Sequence, residues 1–219
     1  MNRCVISAFA VAALAGIAQA DIYTGGTGGN IPDGGNQVSG TPAVFTLGAV
    51  NLPNPTISSF NGIAIAMNHT FVGDLLITLT SPGGQTADVL VRPGVTSATS
   101  FGTGGDFVFG AATGGNAYVF VNSGGLAFPI ANSSIIPTGT YNRLPAANGT
   151  VVATGASGND FTIFNGGDVN GNWTLTVRDF VSQDTGNVVG WSLDITTVPT
   201  PGAAALLGLG GLVIGRRRR

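Results

Sequence analysis

The chain has no glutamate and no lysine, but 36 glycines among its 219 residues. Glu and Lys are among the better helix formers, and each interior glycine costs a helix about 1 kcal/mol. A sequence lacking the first two and rich in the third is poorly equipped to build helices. It suits strands joined by tight turns.

The hydrophobic pattern agrees. Ile63, Ile65, Met67 and His69 share one face of a period-two segment. Leu75, Ile77 and Leu79 alternate with Leu76, Thr78 and Thr80. Trp173, Leu175 and Val177 alternate with Thr174, Thr176 and Arg178. Val189, Trp191, Leu193 and Ile195 share a face opposite Ser192, Asp194 and Thr196. Such alternation predicts half-buried antiparallel strands. Further strands are predicted at 44–50, 87–92, 118–122 and 150–154. Turn signals separate them: Pro82-Gly83-Gly84, Arg92-Pro93-Gly94, Asn165-Gly166-Gly167, Asn170-Gly171 and Thr185-Gly186-Asn187.

About eight or nine strands in one domain predict an all-β, jelly-roll-like antiparallel β-sandwich. Its expected core is Ile63, Ile65, Leu75, Ile77, Leu79, Trp173, Leu175, Trp191 and Leu193. Residues 24–40 read as a Gly-rich linker or a loosely held first segment. Residues 96–115 read as a long loop around one aromatic strand at 107–109.

Both ends carry address signals. Arg3, an apolar run over 5–17 and the small-x-small triplet Ala18-Gln19-Ala20 predict a signal peptide over 1–20 and a mature start at Asp21. Cys4 precedes the apolar run, so it is no lipoprotein acceptor and leaves with the leader. The mature chain then has no disulfide and no thiolate ligand. At the other end stand Val198, Pro199, Thr200, Pro201 and Gly202, then an uncharged stretch of 14 residues to Gly215, then Arg216, Arg217, Arg218 and Arg219. Spanning a bilayer takes about 20 apolar residues, so this stretch is short. Gly208, Gly210 and Gly211 also make it a poor soluble helix. Four arginines would hold the terminus on the cytoplasmic side. The order of motif, apolar run and basic end resembles the PEP-CTERM sorting signal, with Pro-Thr-Pro in place of Pro-Glu-Pro. That resemblance implies an exosortase-type membrane protease as partner and a membrane-held stage before processing. It also implies a destination at the cell envelope, cell surface or extracellular matrix of a bacterium. The organisation expected is 1–20 signal peptide, 21–40 Gly-rich segment, 41–197 β-sandwich and 198–219 sorting signal.

Between the two signals, Arg92, Arg143 and Arg178 stand against ten aspartates, a formal charge of −7. Such a surface repels phosphate backbones and excludes a nucleic-acid partner. Catalytic chemistry is thinly provided for. His69 is the only histidine, and no Ser sits in a Gly-x-Ser-x-Gly elbow. His69 also continues the apolar face of Ile63, Ile65 and Met67, where a histidine reads as a satisfied core residue. No catalytic residue is assigned. Asp179 continues the face of Trp173, Leu175 and Val177 in the same way. The two form a structural polar core, with His69 meeting either Asp179 directly or Asp74 across the Phe71-Val72-Gly73 turn. Trp173 and Trp191 lie on core faces, which leaves Tyr23, Tyr118 and Tyr141 as aromatic platforms for a sugar.

Three segments are specific. One is the run from Asn68-His69-Thr70-Phe71-Val72-Gly73-Asp74 to Thr80-Ser81-Pro82-Gly83-Gly84. The second is Phe164-Asn165-Gly166 followed by Gly171-Asn172-Trp173-Thr174-Leu175-Thr176-Val177-Arg178-Asp179. The third is Asp184-Thr185-Gly186-Asn187-Val188-Val189-Gly190-Trp191-Ser192-Leu193. With Ile31-Pro32-Asp33 and Thr138-Gly139-Thr140-Tyr141, they resemble the P domain (homo B domain) that follows the catalytic domain of proprotein convertases and many bacterial subtilases. The resemblance covers about 30–197. It implies a non-catalytic jelly-roll sandwich acting as a structural or interaction module, toward a surface protein or polysaccharide, or as the accessory of a separate secreted protease. A hydrolase not recognisable from sequence is the alternative from another class.

Some P domains bind calcium through loop carboxylates. Here Asp168-Val169-Asn170-Gly171-Asn172 places oxygen ligands at alternate positions, as calcium loops do, but lacks the glycine and distant glutamate of an EF-hand loop. The candidate calcium ligands are Asp74, Asp160, Asp168, Asp179 and Asp184.

Overall fold

The computed structural model describes residues 18–35, 39–48, 52, 55–97, 99–109, 116–131, 135–145 and 155–199. Among these residues the strands are β1 (Gln19–Gly26), β2 (Gly29–Ile31), β3 (Pro42–Leu47), β4 (Pro55–His69), β5 (Leu75–Thr80) and β6 (Thr86–Val91). They continue as β7 (Asp106–Phe107), β8 (Tyr118–Val121), β9 (Ile135–Ile136), β10 (Thr140–Asn142), β11 (Trp173–Asp179) and β12 (Gly186–Pro199). The larger sheet runs β1-β12-β4-β7-β9, with β2 also on β12, and β8 joining β4 to β10. The smaller sheet is β3-β11-β5-β6. Pairing is antiparallel except for β8 with β10 and β7 with β9. The only helical turns among the described residues are 3-10 segments at Val72–Asp74 and Phe161–Phe164. The chain is a β-sandwich.

The inner faces meet in one apolar layer. Ile63, Ile65 and Met67 of β4 oppose Leu75, Ile77, Leu79, Leu175 and Val177 of the smaller sheet, all fully buried. Phe60, Phe161, Phe164 and Trp173 pack ring on ring, with Phe60 5.0–5.7 Å from the other three centroids. The Trp173 indole donates to the Val169 carbonyl at 3.0 Å, and the Trp191 indole to the Thr27 carbonyl at 3.2 Å. Both tryptophans are buried core residues.

Several expectations need correction. Val189 is not on the Trp191 face: Val188 is buried and Val189 is half exposed. A bulge shifts the register between Val188 and Gly190, and one extra residue in a strand moves the following side chains to the other face. Leu76 is also buried, because Val91 and Phe180 cover the second face of β5. Residues 24–40 are not a linker. β1 and β2 both pair with β12, and several glycines there make tight contacts. A Cβ on Gly28 would lie 2.3 Å from the Val188 carbonyl oxygen. On Gly40 it would lie 1.9 Å from that of Asp179. Thr185-Gly186-Asn187 is not a turn but the entry to β12. The strand expected at 150–154, and the end of that at 44–50, lie outside the described residues.

Candidate functional site

The end of β4, the start of β12 and the end of β11 converge on one polar cluster. His69 closes β4 on its inward face and is 1% exposed. Its Nε2 lies 3.2 Å from Asp179 Oδ2, and its Nδ1 lies 3.2 Å from the Phe71 amide nitrogen. With the proton on Nε2, the ring donates to Asp179 and accepts from the Phe71 amide, and the Phe71 carbonyl oxygen also stands 3.1 Å from Nδ1. That tautomer is assigned from the partners. Asp179 is wholly buried and its Oδ1 accepts from the Val181 amide at 3.0 Å. Of the two pairings open from sequence, the structure shows the direct one with Asp179. Gly186 sits against the imidazole, where a Cβ would come within 2.5 Å of the ring.

Asp74 and Arg92 sit beside this pair. Asp74 is held in the 3-10 turn after Phe71, and its carbonyl accepts from the Phe180 amide at 3.0 Å. Its carboxylate is 1% exposed, with Oδ1 3.9 Å from Arg92 Nη2. Burial pushes its pKa up to about 7; the nearby charges of Asp179 and Asp184 add to this, and Arg92 opposes it. Arg92 has a left-handed backbone at φ 37. Its Nε donates to the Gly73 carbonyl at 3.3 Å and its guanidinium lies 5.0 Å from the Phe180 ring centre. Burial lowers its pKa.

Three of the five candidate calcium ligands gather at this end, and Asp160 and Asp168 lie elsewhere. Asp74 and Asp179 are buried in this cluster, with Asp184 at its rim accepting from the Thr70 hydroxyl at 2.9 Å. Asp160 caps the Phe161–Phe164 turn through the Thr162 amide; the bond from the Thr162 hydroxyl, then that from its amide, lowers the Asp160 pKa. Asp168 accepts from the Asn170 amide at 2.8 Å in a local turn. Among the described residues no group of three His, Cys, Asp or Glu side chains is placed to hold a metal ion. Within the cluster, the cation facing the buried Asp74 carboxylate is the protein's own Arg92.

The sequence missed Asp88, Arg92 and Asp106. Asp88 is buried in β6 and collects the Ser157 amide and hydroxyl on one oxygen and the Gly158 amide on the other, at 2.7–2.9 Å. It pins the 155–159 loop to the smaller sheet. The one signal available was an aspartate inside an apolar strand. Asp106 lies beside a cleft of about 550 Å³ lined by Asn30, Asn68, Thr70, Val108, Thr185 and Asn187 above a floor of Ile31, His69, Phe107 and Gly186. Burial raises the Asp106 pKa; Asp184 adds to this and His69 opposes it.

The described residues of the two predicted signals, 18–20 and 198–199, lie at the far end of the sandwich. Ala18 and Ala20 are exposed, and Ala20 pairs with Thr196 in the β1–β12 ladder. Val198 and Pro199 end β12 opposite Thr56 and Pro55. Thr200, Pro201, Gly202 and Arg216 to Arg219 lie outside the described residues. Among those described, no helix is long and apolar enough to cross a membrane.

No curated protein matches the chain. Two solved structures from Aeromonas sobria are similar: its serine protease (13% identity) and that protease in complex with the chaperone ORF2 (15% identity). Each covers 82% of this chain at a TM-score of 0.38, and the chain spans 27% of their length. A family model, the proprotein convertase P-domain, matches residues 135–195. That span holds the second and third specific segments and Tyr141, but not the Asn68–Gly84 run. From β9 through most of β12, then, the chain is similar to the P domain of proprotein convertases.

Proposed function

We propose that the protein is an exported, non-catalytic β-sandwich module, held at the cell surface through its C-terminal tail and acting by binding. The observation that carries the non-catalytic reading is His69. Its two ring nitrogens are engaged by Asp179 and by the Phe71 backbone inside the core, 1% exposed. A base with both nitrogens engaged and almost no exposed surface is not placed to take a proton from a substrate. Incubation of the full chain with broad protease, esterase and glycosidase substrates should give no turnover. Turnover that vanishes in a folded His69→Ala variant would overturn the reading.

Surface sorting is supported by the order of Pro199-Thr200-Pro201, apolar run and four arginines. Intact mass of the surface-extracted protein should show loss of the residues after about Pro201. A full-length form free in the medium and still ending in Arg219 would refute it. The family match favours a second reading, that of an accessory to a separate secreted protease. Co-purification of a subtilase with the protein from its native surface fraction would select that reading.

A further inference from the structure

The cleft beside Asp106 lies on the outer face of the larger sheet, at the opposite end from the two address signals. Asn187 of β12 stands directly opposite Asn30 of β2 on one side and Asn68 of β4 on the other. Directly paired residues project from the same face. The residues next to them, Ile31 and His69, point into the core. Three amides therefore form a row across three adjacent strands. Two residues further along β4, Thr70 follows on the same face; from the His69–Phe107 pair, Asp106 stands opposite it. Asp184, bonded to Thr70, borders this second row.

The two rows offer complementary chemistry. The Asn68 amide donates to Asn187 Oδ1 at 3.3 Å, and its carbonyl accepts from the Phe109 amide at 2.7 Å. This fixes Asn187 with its Nδ2 hydrogens pointing away from Asn68. Asn30 and Asp106 make no side-chain hydrogen bond to another described residue. Amides, which donate and accept, thus line the first row, and carboxylates, which accept, border the second. The ligand must donate and accept in alternation, as hydroxyl groups do. β12 and β4 have paired neighbours on both sides, so an extended peptide could not add as a strand along Asn68 and Asn187. Val108 and the half-exposed Ile135, paired with Asp106, supply an apolar border. The cleft volume falls in the range of ligand sites, about 300–1,000 Å³.

We propose that this cleft binds a neutral, hydroxyl-rich polysaccharide chain laid across the outer face of the larger sheet. Neutrality follows from charge. Asp106 and Asp184 border the cleft, and the exported part of the chain carries seven more aspartates than arginines; uronate, sulfate and phosphate are repelled. The location fits as well. Asn187 is twelve residues from Pro199 along β12, roughly 40 Å at strand rise. A domain tethered by its tail would present the cleft on the side away from the tether.

This deepens the binding reading above by naming a ligand class, and its test is separate from the turnover assay. The purified full chain is run in native gels containing dextran, galactomannan or xylan, in gels containing polygalacturonate, and in blank gels. At least one neutral polysaccharide should retard it, and polygalacturonate should not. Asn187→Ala and Asp106→Asn should each weaken retardation about tenfold, the loss expected for one good hydrogen bond. Asn30→Ala, on a short strand and free of intramolecular side-chain bonds, serves as the variant least able to disturb folding and should weaken it in the same direction. No retardation by any of the three neutral polymers overturns the proposal. So does retardation by polygalacturonate alone, or equal retardation of wild type and all three variants. None of these outcomes touches the non-catalytic reading.

Discussion

Replacing His69 by alanine tests the buried cluster most directly. The substitution deletes the 3.2 Å bond to Asp179 and the acceptor for the Phe71 amide. Asp179 stays wholly buried with Oδ2 unpaired, and a buried polar group left unsatisfied costs about 1–3 kcal/mol. The vacated imidazole volume adds a cavity term, because Gly186 has no side chain to fill it. The sum is about 3 kcal/mol. In a domain of this size each kcal/mol lowers Tm by about 2–4 °C, so the expected fall is roughly 6–12 °C. Thermal unfolding followed by circular dichroism at constant pH measures it. A double-mutant cycle with Asp179→Ala isolates the pair: the double variant should lose distinctly less than the sum of the singles. A Tm within about one degree of wild type, or strictly additive losses, would refute the pairing as a stabilising contact.

Three other outcomes follow from the same geometry. Asp74 has a folded pKa near 7 against an ordinary 3.8, so the folded state binds the proton more tightly. Its contribution is full below about pH 4 and is lost as pH rises through 7; Asp74→Asn should flatten the fall in Tm between those values. Gly186→Ala forces a Cβ to 2.4 Å from the Asn68 carbonyl oxygen and should cost about 1–3 kcal/mol by overpacking, read from urea midpoints. Asp88→Ala removes the acceptor for three hydrogen bonds from Ser157 and Gly158; limited proteolysis should then cut near 155–159 at a protease dose that leaves the wild type intact.

Sequence period carried the sandwich as far as the strands stay regular. β4 over Ile63–His69 and β11 over Trp173–Asp179 alternate without interruption, and their buried faces are those the apolar residues mark. β12 shows where the signal fails. Its register shift after Val188 breaks period two there; the shifts after Asp194 and Thr196 put their extra residues, Asn61 and Ser58, in β4, and β12 alternates without a break from Trp191 to Val198. The two-residue strands β7 and β9 are too short to carry any period. Glycine was the most ambiguous letter. In Pro82-Gly83-Gly84 it marks a turn, and Gly84 has φ 85. At Gly28, Gly34 and Gly40 it marks backbone pressed on backbone. Composition alone cannot separate those two uses, which is why residues 24–40 read as a linker. The site divides along the same line. His69 and Asp179 each end an apolar face and so were visible. The amide row was not, because Asn30, Asn68 and Asn187 meet only through pairings across 157 and 119 positions of sequence.

The placement of the two ends has a physical consequence for export. Gln19 pairs with Thr197 and Ala20 with Thr196, so the expected leader junction lies beside the start of the sorting motif. Cleavage after Ala20 would remove those two pairs. It would leave Asp21 through Tyr23 on Ile195 through Leu193, and Gly26 on Trp191. It removes no residue of the apolar core, which begins at Ile31. On the other side, among the described residues Val198 and Pro199 pair with β4 alone, opposite Thr56 and Pro55. Pro199 and Pro55, facing each other, have no amide hydrogens to exchange, so this pair adds no hydrogen bond to the ladder.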